Sequence, residues 1–167
     1  MMLSNEMFYT AVAKKGYAIG VAQPVATLLA FGYRKHLPWK EELDLRGPIL
    51  IASKGKTATK DEIEHEIAIC RQFLPARSAQ REFPCDYPSG AIVGRALLTD
   101  CLSKEEYEKT YPKSECGDVK EPYVLIFDVF EALLVPIPHI PPSDGVYQVD
   151  KQLRATIKRM LDPVSFP

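Results

Sequence analysis

The chain has 167 residues, 46% of them apolar and 26% charged, with a formal net charge of −1. That length buries one substantial core and fits a single domain over 1–167 better than two, while the near-neutral balance argues against a tail-type or histone-like binder of nucleic acid. No run approaches the roughly 18 uncharged apolar residues that span a bilayer, and the N-terminus lacks the basic and apolar regions of a secretory signal, so a cytoplasmic protein without membrane association is expected.

In chain order, Tyr17 to Ala22 reads as a short strand, and Pro24 suits the first turn of a helix carrying Val25, Leu28 and Leu29 to a stop at Gly32. Gly47-Pro48 precedes Ile49-Leu50-Ile51-Ala52, a short β-branched and apolar run that predicts a buried strand. Thr59 and Glu62 have the spacing of a capping box, and Ile63, Ile67, Cys70 and Leu74 follow at helical intervals up to Pro75. Residues 75–89 are polar and proline-broken and predict a loop. Ala91 to Leu98 and Tyr123 to Leu134 predict two central strands flanking a short helix opened by a second capping box, Ser103 to Glu106. The cluster Pro136, Pro138, Pro141, Pro142 reads as an extended connection, Val146 to Val149 as a last strand, and Asp150 as the cap of a helix over 151–161 with Leu153, Ile157, Met160 and Leu161 on one face. At least five strands with few helices and no regular alternation point to an α+β fold built on a closed or nearly closed barrel.

Charge is unevenly placed. Residues 14–60 hold nine bases and three acids, so the remainder carries −7; that segment either supplies one positive face or belongs to a charge-mixed surface. The cysteines at 70, 85, 101 and 116 form no C-x-x-C pair, so reduced thiols are expected and no metal or cofactor is. Gly55-Lys56-Thr57 lacks the glycine a phosphate loop needs at position 50, where Leu50 stands. His36, His65 and His139 are scattered, and no spacing supports pairing one of them with a cysteine nucleophile. Asp100, Asp128 and Glu131 could meet at strand ends, although separate solvated acids are the plainer reading.

The order of blocks is informative where single blocks are not. Ile19 to Gly32, with Gln23-Pro24-Val25-Ala26 between strand and helix, resembles the opening of activating-signal-cointegrator homology (ASCH) domains. Arg46 to Lys54 is similar to that family's second block, Gly90 to Gly94 to its G-x-I-V-G strand, and Tyr123 to Pro138 to its last long strand and turn. The matching blocks span about 17–149, with 1–16 and the helix over 151–161 as extensions. The resemblance implies a PUA-like mixed β-barrel of about five or six strands with short flanking helices. It also implies a cleft between barrel and first helix that takes RNA or a nucleoside.

The residues accord with such a cleft. Gln23 and Pro24 sit at a helix N-terminus, where free N–H groups favour an anion and an amide can bond a base edge. Ser53 and Lys54 lie where a strand ends, Lys56 lies just beyond, and Trp39, Tyr123 and Tyr147 could stack on a base. Each also has a plain structural role open to it: helix cap, solvated lysine, core aromatic. The stretch after Gly32 departs from the family pattern, with Arg34 in place of a lysine, Leu37 in place of a glutamate or threonine, and Trp39 in place of an arginine. Arginine cannot serve as a base and leucine offers no polar atom, so the acetylcytidine amidohydrolase chemistry of a small subgroup is not carried over intact. Lys35 could replace the lysine only if the strand slipped in register. The expected function is an RNA- or nucleoside-binding module using Gln23, Pro24, Arg34, Lys35, Trp39, Ser53, Lys54, Lys56 and Tyr123. Alternatives are a hydrolase of RNA or a modified nucleoside with a rearranged site, of ribonuclease or acetylcytidine amidohydrolase type, and a module that docks a protein partner.

Overall fold

A computed structural model describes residues 16–74 and 82–160. Residues 75–81 of the expected loop, most of the N-terminal extension and Leu161 lie outside them. The elements run β1 (Tyr17–Val21), α1 (Val25–Ala30), β2 (His36–Trp39), β3 (Gly47–Ser53), α2 (Lys60–Arg71), β4 (Ala91–Ser103), α3 (Lys104–Thr110), β5 (Tyr123–Pro138), β6 (Val146–Gln148) and α4 (Lys151–Met160). The strands form one mixed sheet in the order β2-β5-β4-β3-β1-β6. β1 and β3 are parallel, and every other pair is antiparallel.

The parallel pair explains why β3 reads as an uninterrupted apolar run. Ile19, Val21, Ile49 and Ile51 face the main core with α1, while Ala18, Leu50 and Ala52 face a second core under Ile157 and Leu153 of α4. A strand covered on both faces has no solvent side on which polar residues could alternate. At about 1.5–3 kcal/mol for each large apolar side chain removed from water, this double burial contributes more than any single polar contact in the sheet. Two further clusters attach the periphery: Leu28, Cys70, Phe83 and Tyr87 beneath α2, and Tyr107, Cys116, Val119 and Val124 beneath α3.

Both capping boxes form as their sequences predict, with Thr59 and Glu62 opening α2 and Ser103 and Glu106 opening α3. Asp150 opens α4 by accepting the Leu153 N–H at 2.8 Å. No helix among the described residues is long and apolar enough to cross a membrane.

The expected barrel requires correction in its closure. β2 and β6 are the two sheet edges and no ladder joins them. β2 has four residues including Pro38, which has no N–H to donate, and β6 has three, so neither presents enough backbone for a closing ladder. The edges nonetheless come near each other: Lys40, just after β2, donates to the Asp144 carbonyl at 2.9 Å, just before β6. β2 itself was not foreseen, because Arg34 to Trp39 carries no alternating pattern.

Gly94 marks where α1 and β5 press on β4. A Cβ there would lie 2.4 Å from the Glu131 carbonyl oxygen and 2.9 Å from the Ala30 Cβ, whereas one on Gly55 would meet nothing within 4 Å. Gly94→Ala is expected to lower stability by about 1–3 kcal/mol, read from the urea midpoint. Gly55→Ala is the neutral control, and equal midpoints for the two variants would show that the α1 packing is looser than described.

Candidate functional site

Because β1 and β3 run side by side with Val21 opposite Ser53, the corner at Gln23 and the exit of β3 are neighbours. The two are bound through one atom. The carbonyl of Pro88 accepts from Gln23 Nε2 at 2.9 Å and from Ser53 Oγ at 2.7 Å. Gln23 also donates to Thr27 Oγ1 at 2.7 Å and accepts the Thr27 N–H at 3.1 Å, so its amide serves the first turn of α1, while Pro24 beside it is buried. Ser53 accepts the Ala91 N–H at 3.0 Å. The corner and the strand exit therefore share a wall, and the segment around Pro88 lies against it.

Cations ring the outside of this wall. Lys54 follows Ser53 and sets its ammonium 3.4 Å from the Asp144 carboxylate, whose side chain is 80% exposed. Lys40 reaches the same residue's carbonyl from the far edge of the sheet. Lys56 is exposed in the loop beyond. Two ammonium groups from separate elements thus converge on one acidic residue, and sequence gave no sign of Asp144 because the contact is made across the seam between β2 and β6.

Position 34 behaves differently. Arg34 is buried, its guanidinium paired with Glu66 of α2 and donating to the His36 carbonyl at 3.1 Å and the Cys116 carbonyl at 3.4 Å. Lys35 is exposed. Next to Arg34 the buried His36 ring lies 2.8 Å from the Tyr107 hydroxyl through Nδ1 and 3.0 Å from the Glu115 carboxylate through Nε2. A carboxylate only accepts, which places the proton of neutral His36 on Nε2 and leaves Nδ1 to accept from Tyr107. The Tyr107 oxygen in turn accepts the Glu115 N–H at 3.2 Å and the Cys116 thiol at 3.7 Å.

Burial, then Arg34, then Lys35 push the His36 pKa down to about 4, and burial pushes the Cys70 thiol up to about 11. The groups are held in their neutral forms around a fixed guanidinium, an arrangement that ties α2, α3 and β2 together. Glu66, Tyr107 and Glu115 were missed at the sequence level. The one available signal was that Arg34 and His36, two residues apart, fall on the same side of a strand.

Trp39 is buried in the main core opposite Tyr123, which is half-buried at the start of β5. The Trp39 indole N–H has no partner among the described residues. Asp100 and Glu131, weighed as a cluster with Asp128, pair instead with Arg46 and Arg95. Among the described residues no three metal-ligating side chains lie together.

No protein-family model matches the chain. It is 29% identical over 147 residues, 87% of its length, to activating signal cointegrator 1 of Homo sapiens, and equally to that of Mus musculus. The chain spans about a quarter of the length of those relatives, 24%. Its fold is similar to crystal structures of ASCH from Zymomonas mobilis, with a TM-score of 0.51, and of a serine-to-alanine mutant, with 0.53. Each is 10% identical, and each match covers 88% of this chain and 96% of the other. The fold is α+β, a six-stranded mixed sheet with helices, and is similar to that of those ASCH structures. In sequence the chain is similar to activating signal cointegrator 1 and in fold to ASCH from Zymomonas mobilis, and both likenesses support the resemblance to the ASCH domain family.

Two measurements test the buried network. Arg34→Ala leaves Glu66 and two carbonyls without their donor and is expected to cost about 3 kcal/mol in chemical unfolding. The native pKa of His36, about 4, lies below its ordinary 6.5, so the fold favours the neutral ring. That contribution is complete above pH 6.5 and is lost as pH falls from 6.5 through 4, on the order of 3 kcal/mol in all. His36→Gln is expected to flatten this part of the stability profile; an unchanged slope would place the titration elsewhere.

Proposed function

We propose that this chain is an ASCH-type domain that binds nucleic acid, with RNA as the ligand, and that the phosphate backbone is held at the exit of β3 by Lys54 and Lys56 with Lys40 alongside. The observation that carries the reading is the convergence of Lys40 and Lys54 on Asp144. An exposed ion pair of this kind contributes only about 0–1 kcal/mol, so a phosphate can take the place of the carboxylate at little cost. Lysines at a strand exit supply register and affinity rather than sequence choice, which suits a module whose surface charge is local while the whole chain is near neutral.

Gln23, Pro24 and Ser53 then act from behind, shaping the wall through Pro88. Arg34 fixes α2 against it. Trp39 and Tyr123 contribute packing at the end of β2 and β5. Lys35 is solvent-exposed and available to a phosphate.

Titration of a fluorescent single-stranded RNA at low salt tests this. The double variant Lys54→Ala with Lys56→Ala is expected to weaken binding several-fold and to reduce the salt slope by about one to two. Asp144→Asn is expected to strengthen binding, because it removes the acid that competes for Lys54. Absence of wild-type binding at low salt would reject the proposal.

A further inference from the structure

The described surface contains a second set of groups that the lysines do not involve. Phe31 closes α1, Gly32 turns the chain at φ +81°, and Tyr33 leads on towards β2. The turn brings the Phe31 and Tyr33 rings nearly parallel, 11° apart in plane with centroids separated by 6.5 Å. Tyr33 in turn lies 4.5 Å from Phe83, and the Arg71 guanidinium sits 4.8 Å over the Phe83 ring. The result is a ladder of flat groups, Phe31, Tyr33, Phe83 and Arg71, the second and third tilted by 41°, which starts at the C-terminal end of α1, the end opposite Gln23.

The inner members are fixed. Phe83 is buried, and the Tyr33 hydroxyl donates to the Glu82 carbonyl at 3.2 Å. Phe31 ends the ladder with 47% of its surface in solvent. A solitary exposed apolar side chain carries no message. Here the exposed ring is aligned with a second ring across a turn that glycine makes possible, and a Cβ at Gly32 would press on Phe130 at 3.0 Å. The alignment leaves about half of an aromatic side chain in solvent while its ring runs nearly parallel to that of Tyr33.

We infer that Phe31 is a stacking platform for an unpaired base of a single-stranded nucleic acid, with Tyr33 and Phe83 holding it in orientation. A base is planar and polarisable, and a face-on aromatic accepts any of the four without reading its edge. Lys35, exposed two residues after Tyr33, supplies a cation in the same short segment. The inference rests on the nucleic-acid reading above and adds to it a site for the bases.

The test is binding of a uridine-rich RNA of about ten nucleotides carrying one fluorescent adenine analogue, alongside the same backbone with abasic residues. Phe31→Leu keeps an apolar side chain of similar burial but removes the ring. It is expected to weaken binding to the base-containing RNA by about fivefold to tenfold, to abolish quenching of the analogue, and to leave both the melting temperature and binding to the abasic strand unchanged. Phe31→Tyr is expected to bind within about twofold of wild type. Single-stranded DNA of the same sequence is expected to show the same dependence on Phe31, since both sugars carry the same ring faces.

Wild-type affinity in Phe31→Leu, or an equal loss on the abasic strand, overturns the platform while leaving the lysine site standing. Failure of the wild-type protein to bind either strand overturns the nucleic-acid reading and the platform with it.

Discussion

The parallel pairing of β1 with β3 is the constraint on which the rest of the molecule depends. It forces a crossover between the two strands, and α1 and β2 are accommodated within it. It buries the pair on both faces, so the sheet can be covered by α1 on one side and α4 on the other. It also sets the end of each strand beside the other's, and for that reason Gln23 and Ser53, thirty positions apart, bind the same Pro88 carbonyl.

Polar chemistry is distributed around that frame in two ways. Inside, the guanidinium of Arg34 and the imidazole of His36 are surrounded by acceptors and neutral donors, which makes them costly to disturb and poor candidates for proton transfer. Outside, Lys40, Lys54 and Lys56 are tied only by exposed pairs or left in solvent, which leaves them free to exchange partners. Phe31 belongs to the outer group by exposure and to the inner one by the stack that orients it. A module that grips a chain by its phosphates and bases needs groups of this second kind on a rigid support.

Much of the fold was legible from local signals. Both capping boxes, the Asp150 cap and the doubly buried run at Ile49 to Ala52 declare themselves because each depends on side chains within four residues of one another. β2 was not legible, since its pairing with β5 is set by partners far along the chain, His36 opposite Ile126 and Trp39 opposite Tyr123. Of the candidate site residues, Lys54, Lys56 and Lys35 lie where solvent reaches them, whereas Gln23, Ser53, Arg34 and Trp39 are buried. A sequence states which polar side chains exist, but not which of them the fold satisfies internally.

The sequence by itself determined most element types, the helix starts and the family likeness, because propensity, capping and periodicity act over a few neighbours. Only the tertiary structure decided that the barrel stays open at β2 and β6, that Asp144 sits between two lysines, and that Phe31 ends a ladder of rings. Those outcomes depend on distances between residues far apart in the chain, which long-range packing sets and no local pattern encodes.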